Sequence, residues 1–315
     1  MPAPTLVIIN PRAGSGPPRF ARLEARLRDV LGDLELTRTR GVRDATRIAR
    51  EAVRSGVRRL VVGGGDGTLS EVVTGVLDAD LGTEVEIGLL PFGSGCDFAR
   101  AVGVPRSIGP AIDGLATGER RWVDAGRVRY SAASGGESTS CFLNEASFGL
   151  TGLTAEWMNR VGRRIGPRAG FALSAGIAIL LHPTSDLVIS VDDKEVHEGF
   201  TSMVVVANGG FFGGGMRIAP DAAPDDGTFD VVVVGALSRS QLLVNFPALY
   251  RGTHISHPAV AVHRGVRVHA RVRGSVPVCI DADGEPLGCL PASVELLPRA
   301  IRLFGLPVAT TRPSV

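Results

Sequence analysis

The chain has 315 residues, and 34 Lys and Arg against 32 Asp and Glu leave a formal net charge of only +2. That near-balance excludes a strongly basic nucleic-acid binder, and 44% hydrophobic with 21% charged residues excludes a disordered chain. Lys194 is the only lysine, which removes a Walker A loop, a protein-kinase strand lysine and Schiff-base chemistry from consideration.

At roughly 100–200 residues per domain the length suggests two domains, and the pattern changes once along the chain. TLVIIN (5–10) is a short apolar run that fits a buried strand. Residues 18–31 carry Phe20, Leu23, Leu27, Val30 and Leu31 at helical spacing. A strand over 34–40 and a helix over 44–55, closed by Gly56, follow. A strand over 59–62 then empties into Gly63-Gly64-Gly65-Asp66-Gly67-Thr68, with a helix from about Leu69 to Leu77. A strand over 86–90 ends at PFGSG. This alternation predicts an α/β domain over residues 1–123 with a parallel, Rossmann-like sheet.

Beyond Val123 strand signals follow one another, at 123–130, 139–146, 186–191, 202–207, 229–234, 259–262, 266–272 and 276–280. Turns rich in Gly and Asp separate them. The second domain, 124–297, is therefore expected to be a mainly antiparallel β-sandwich or barrel, with helical insertions near 151–181 and 240–250. The N-terminus lacks a basic region leading into a long apolar core, and the longest apolar stretch, FALSAGIAILL (171–181), falls short of the ~20 residues of a spanning helix. Cys96, Cys141, Cys279 and Cys289 form no CxxC pair. Reduced thiols in the cytoplasm are the expectation.

The strongest local signal is LVVGGGDGTLSE (60–71). Glycines let a main chain approach a phosphate without a Cβ clash, and the amides of Gly67, Thr68 and Leu69 at a helix start attract an anion. Asp66 adds a carboxylate suited to a metal or an activated hydroxyl. The alternative is a plain strand-to-helix turn, for which three glycines plus Asp-Gly-Thr are excessive. Asn10-Pro11-Arg12-Ala13-Gly14-Ser15-Gly16 follows the first strand, and Pro91-Phe92-Gly93-Ser94-Gly95-Cys96-Asp97 follows the fourth. If the strands are parallel, all three loops gather at one carboxyl edge, where open α/β sheets bind ligands.

These three loops resemble the nucleotide-binding motifs of the diacylglycerol kinase catalytic-domain family, which includes bacterial lipid kinases and is related to sphingosine and ceramide kinases. The resemblance continues through NEASFGL (144–150), IAPDAAPDDGTFDV (218–231) and DADGEPL (281–287). It implies a lipid kinase using ATP as co-substrate and Mg²⁺. Asn10, Pro11, Arg12, Ala13 and Gly14 would line the adenosine-phosphate side. Gly65, Asp66, Gly67, Thr68, Leu69, Ser70 and Glu71 would cradle the phosphates. Ser94 stands at the place of the family's usual Thr, and Thr39 matches a further nucleotide contact. The chain departs from the family at Cys96 and Ser70, where Asn is usual.

The resemblance also places a structural Mg²⁺ on the Asp226 carboxylate and the carbonyls of Ala223 and Thr228. Read without it, the run is equally an ordinary Asp-Asp-Gly turn. It assigns the hydroxyl's proton to Asp283 or Glu285, with Asp66 as a third candidate catalytic group. Asp-Gly by itself reads as a hairpin turn. With no lysine available, Arg12, Arg100 and Mg²⁺ are the remaining candidates to balance phosphate charge. The stretch 154–181 combines Trp157, Met158, Val161 and Ile165 with Arg160, Arg163, Arg164 and Arg168, and reads either as a membrane-surface face or as a core helix with a solvated side. The resemblance further implies that 298–315 packs back on the first domain. Peripheral association with the membrane and a lipid acceptor are expected, no nucleic acid is, and a homodimer is allowed. The rivals are an NAD kinase-like phosphotransferase and a non-catalytic lipid- or nucleotide-binding regulator.

Overall fold

The computed structural model describes residues 4–14, 20–93, 95–133, 135–157, 167–181 and 184–307. The chain forms two compact units: Met1–Val123 with Arg299–Val315, and Asp124–Pro298.

In the first unit, β1 (Thr5–Ile9) pairs in parallel with β2 (Leu34–Arg38) on one side and β3 (Arg59–Gly64) on the other. β4 (Glu86–Pro91) pairs in parallel with β3. The chain's last strand, β14 (Glu285–Leu306), adds its end beside β4 through Arg302↔Glu86 and Leu303↔Ile87. The helices α1 (Phe20–Leu31), α2 (Asp44–Arg54), α3 (Asp66–Leu77), α4 (Asp97–Ala101) and α5 (Ile108–Thr117) fill the connections. β1 is buried along its length, as a continuous apolar run in a covered parallel sheet should be. Helices α2 and α3 pack unusually close because Gly75 has no side chain. A Cβ there would meet the Thr46 carbonyl oxygen at 2.3 Å.

The second unit contains most of β5 (Glu119–Ala132), then β6 (Glu137–Phe142), β7 (Glu145–Gly149), β8 (Ser185–Val191), β9 (Lys194–Ala207), β10 (Phe229–Gly235), β11 (Val260–Gly265), β12 (Arg267–Val272) and β13 (Cys279–Ala282), with the first part of β14. Antiparallel pairings run β7–β9–β8–β12–β14–β13 and return to β7, so six strands close into a ring. Strands β10 and β11 extend outward from β9, and β5 forms a hairpin with β6. Three helices complete the unit: α6 (Leu150–Trp157), α7 (Pro167–Leu181) and α8 (Arg239–Arg251).

The period of two along these strands sorts the apolar residues into two cores. Val204, Val206, Phe229, Val231 and Val233 join Phe142, Phe148 and Ile280 in one. Their neighbours Met203, Val205, Ala207, Val232 and Val234 face Leu150, Ala178 and Ile179 of α6 and α7 in the other.

Three elements differ from expectation. The predicted strand 139–146 is two strands, broken at Leu143-Asn144, because those amides bond a side chain instead of a ladder partner. The predicted strand 202–207 starts at Lys194, since Asp192 and Asp193 both take positive φ (47° and 66°) and make a tight hairpin with β8. Helix α3 starts at Asp66 rather than near Leu69. Of the predicted helical insertion 151–181, residues 158–166 lie outside the described residues.

Candidate active site

In the first unit, parallel pairing brings the ends of β1, β3 and β4 to one edge, and named contacts weld their loops together. Asn10 Nδ2 donates to Thr68 Oγ1 at 3.0 Å, joining the first loop to the start of α3. Its own Oδ1 accepts the Arg12 amide (2.9 Å), which turns the chain back through Pro11 and Ala13. Gly14, at φ +83°, approaches so closely that a Cβ would lie 2.4 Å from the Phe92 carbonyl oxygen. A Cβ on Gly93 would lie 2.5 Å from Gly65 Cα. At the neighbouring strand end, the Thr39 amide donates to the Ile9 carbonyl (2.9 Å). Ser94 lies outside the described residues.

Helix α3 opens on Gly65, whose carbonyl accepts the Leu69 amide (3.1 Å). The amides of Gly67 and Thr68 precede that first helical bond and carry the positive end of the helix. The Leu69 amide is already used, and its side chain is core, so Leu69 drops out as an anion donor. Ser70 follows it inside the helix.

The two carboxylates of this segment hold the scaffold together. Asp66 accepts the amides of Asp97 (3.0 Å) and Phe98 (3.0 Å), one on each oxygen. It therefore caps α4 from a different loop, a task usually done by the residue next to the helix. Burial raises its pKa above the ordinary carboxylate value, while those two amides pull it back. Glu71 does the same for α2, accepting the amides of Arg43 (2.9 Å) and Ala45 (3.1 Å). Cys96 precedes α4 in the left-handed region, at φ 51°. Asn tolerates that conformation better than most residues, which accounts physically for the family's preference. The Cys96 thiol donates to the Gly93 carbonyl (3.2 Å) and is pushed up to about 12 by burial, so it stays protonated. Arg12 is exposed beside this edge.

In the second unit, Asp283 and Gly284 turn the chain from β13 to β14 with φ of 48° and 77°, the hairpin that Asp-Gly favours. Asp283 is heavily engaged. Its oxygens accept the amides of Leu143 (3.0 Å), Asn144 (2.9 Å) and Glu145 (3.1 Å), and its own amide donates to the Glu145 carbonyl (2.9 Å). This is the anchor that interrupts the predicted strand 139–146. A carboxylate bound by three amides is a poor proton acceptor. Glu285, at the first position of β14, is exposed.

Next to the anchor lies a buried acidic pair. Glu145 and Asp281 are each only 3% exposed. Ser147 Oγ donates to Asp281 Oδ1 at 2.6 Å, across paired strands β7 and β13. Burial raises both carboxyls, and Asp281 and Asp283 push Glu145 up further. Two carboxyls raised this way by burial favour protonation of Glu145, the one pushed up by both neighbouring acids. Glu145 Oε2 has no hydrogen-bond partner.

The Asp-rich turn is organised by side chains from elsewhere in the unit. Asp124, 2% exposed, accepts the Gly227 amide (2.8 Å), and its own amide donates to the Pro224 carbonyl (2.7 Å). Asn208 donates to the carbonyls of Asp124 (3.0 Å) and Leu143 (2.6 Å), joining this turn to the Asp283 anchor. The Asp226 carboxylate is occupied on both oxygens: it pairs with the Arg264 guanidinium and accepts the Thr228 amide (3.2 Å). Arg264 also bonds Asp230 (3.1 Å). The Ala223 carbonyl accepts the Asp226 amide (3.3 Å). Protein partners thus occupy the Asp226 carboxylate and one lone pair of the Ala223 carbonyl, two of the three groups on which the resemblance places a structural Mg²⁺ with Thr228. Among the described residues, no group of three or more His, Cys, Asp or Glu is placed to hold a metal ion.

Comparison with known proteins gives this geometry a family. Residues 4–128 match the diacylglycerol kinase catalytic domain, and residues 144–305 match the YegS C-terminal NAD kinase beta sandwich-like domain. The chain belongs to the diacylglycerol kinase catalytic-domain family. A "Diacylglycerol kinase" of Staphylococcus carnosus is 29% identical over 306 residues, covering 95% of this chain and 94% of its own. A "Probable lipid kinase YegS-like" of Enterobacter is 28% identical over 308 residues, covering 94% of each. The fold is shared with a crystal structure of a diacylglycerol kinase from Bacillus anthracis (TM-score 0.70, 23% identity, 96% of each chain).

The residues that sequence reasoning missed are the buried polar groups Asp124, Glu145, Ser147, Asn208 and Asp281. Asn144 and Glu145 stand in the quoted NEASFGL run, but nothing local says that their backbone anchors Asp283. Asp281 lies two residues before Asp283, inside the quoted DADGEPL.

Proposed function

We propose that this kinase transfers the γ-phosphoryl group of ATP to a lipid hydroxyl, with diacylglycerol or a related lipid as acceptor. What carries the reading is the welded edge of the first unit, where three Gly-rich loops leave the Gly67 and Thr68 amides at the start of α3. A polyphosphate suits that edge because main-chain donors need no lysine. Asn10 through Gly14 would take the nucleoside side, with Thr39 and Ser94 as further contacts. Arg12 would meet phosphate charge. Mg²⁺ would arrive with the nucleotide and neutralise the transferring group.

Glu285 would accept the hydroxyl proton. Asp283 would hold the hairpin that carries it, because its own oxygens are filled by amides. A labelled-ATP assay across diacylglycerol, sphingoid bases, ceramide and NAD tests the reading. Phosphorylation of a lipid alcohol supports it. Phosphorylation of NAD alone makes the protein an NAD kinase, and nucleotide binding without any product makes it a regulator.

A lipid acceptor requires contact with a bilayer, and α7 and α8 suit it. Helix α8 is apolar on two sides. Leu242, Phe246 and Leu249 pack on the core, while Leu243 (53%), Val244 (77%) and Tyr250 (47%) are exposed. Neither α7 nor α8 contains an acidic residue, and α7 exposes Leu180 and Leu181. An exposed apolar face with only basic charges matches an anionic membrane surface. The part of α7 around Ala178 and Ile179 is core, so only one side of the expected docking segment is available. No described helix is long and apolar enough to cross a membrane. Action from the cytoplasmic side is part of the proposal.

A further inference from the structure

Cys279 and Cys289 are direct cross-strand partners on β13 and β14. The Leu290 amide donates to the Val278 carbonyl at 3.0 Å, so that pair is the hydrogen-bonded one. The adjacent pair, Cys279 with Cys289, is then of the non-hydrogen-bonded kind. Pairs of that kind hold their Cα atoms about 4.5 Å apart, with both side chains on one face. A disulfide asks for a Cα separation of roughly 4.4–6.8 Å, so the backbone already stands where the bond needs it. Both cysteines are half-buried, whereas Cys96 and Cys141 are buried, and all four are thiols. Gly152 lets α6 lie hard against β13: a Cβ there would meet the Cys279 carbonyl oxygen at 2.6 Å.

The two thiols bracket the hairpin that carries Asp281, Asp283 and Glu285. We propose that Cys279 and Cys289 are a redox-active pair whose reversible disulfide staples this hairpin and slows phosphoryl transfer. The oxidant is a low-molecular-weight disulfide. One cysteine thiolate attacks it, forming a mixed disulfide and releasing one small thiolate. The other cysteine thiolate attacks the protein-bound sulfur and releases the second small thiolate. Two protein thiols are oxidised, one small disulfide is reduced to two thiols, and the protons pass to those thiols. The effect on turnover rests on the assignment of Glu285 as proton acceptor, whereas formation of the bond does not.

The whole protein is incubated with oxidised glutathione, alkylated, digested and analysed by mass spectrometry. A peptide pair joining Cys279 to Cys289 is expected at least tenfold above any pair containing Cys141. Turnover on a lipid alcohol should fall at least threefold with the bond formed and return with dithiothreitol. Cys279→Ser and Cys289→Ser should each abolish both the linked peptide and the fall, and Cys141→Ser neither. Absence of the linked peptide overturns the pair. Unchanged turnover in fully linked protein overturns the control. A protein that links Cys279 to Cys289 yet phosphorylates no lipid supports the pair and breaks the lipid-kinase reading instead.

Discussion

The Gly-rich edge of the first unit and the acidic region of the second handle carboxylates in opposite settings with the same outcome. At the Gly-rich edge, Asp66 and Glu71 each spend both oxygens on amides at a neighbouring helix start, while the Gly67 and Thr68 amides precede the first helical bond of α3. In the acidic region, Asp283 is filled by three amides, Asp226 by a guanidinium and an amide, and Asp281 by the Ser147 hydroxyl beside the buried Glu145. Conspicuous acids in a motif are thus mostly scaffold here.

The largest effect is expected at Asp283. Asp283→Ala strands three amides and should cost about 2–3 kcal/mol, read by denaturant unfolding. Glu285→Gln should leave stability within roughly 0.5 kcal/mol, as at other surface positions, while turnover on a lipid alcohol falls at least a hundredfold. If Glu285→Gln turns over like the parent, Asp283 and Glu285 have been given each other's roles. Next comes Asp66→Ala, which removes the cap of α4. About 1–2 kcal/mol should be lost along with turnover, while the circular dichroism spectrum is retained. Turnover that persists would detach Asp66 from the site.

Glu145 gives a smaller effect whose sign depends on pH. Its folded pKa is raised above the ordinary 4.5. The stability it allows is complete below that value and declines as pH rises toward the raised folded value. Glu145→Gln keeps a donor for Asp281 and removes the titration. The variant should therefore melt higher than the parent above pH 4.5, by a margin that grows with pH. A constant difference across pH would show that the Glu145 carboxyl is not raised. The last effect concerns Arg264, which pairs with Asp226 and with the buried Asp230. Arg264→Ala leaves Asp230 without that cation, and the melting temperature should fall measurably. The melting temperature of the variant, measured without nucleotide, should also gain a dependence on added Mg²⁺ that the parent's lacks. Equal Mg²⁺ dependence in both proteins would restore the metal to the Asp226 turn.

Much of the fold could be read ahead of the structure. β1, β3 and β4 were visible as apolar runs ending in glycines, and their pairing needed only the βα alternation. The three loops were legible because close approach to Phe92 and Gly65 requires glycine at positions 14 and 93. Leu69 was misjudged as a donor because α3 begins three residues earlier than its apolar spacing suggests. The break between β6 and β7 could not be seen, since Asp283 lies far along the chain from Leu143.

Sequence alone determined the strand–helix alternation of the first unit, the run of strands in the second, where the Gly-rich loops fall, and which family the motifs belong to. These follow from local rules, side-chain period and backbone freedom, that neighbours in the chain already satisfy. Only the tertiary structure decided what each acid does. Whether a carboxylate is base, cap, anchor or ion-pair partner depends on which amides and guanidinium groups the fold brings to it from distant segments. Asp66 with Phe98, Asp283 with Asn144, and Asp226 with Arg264 were each settled in that way.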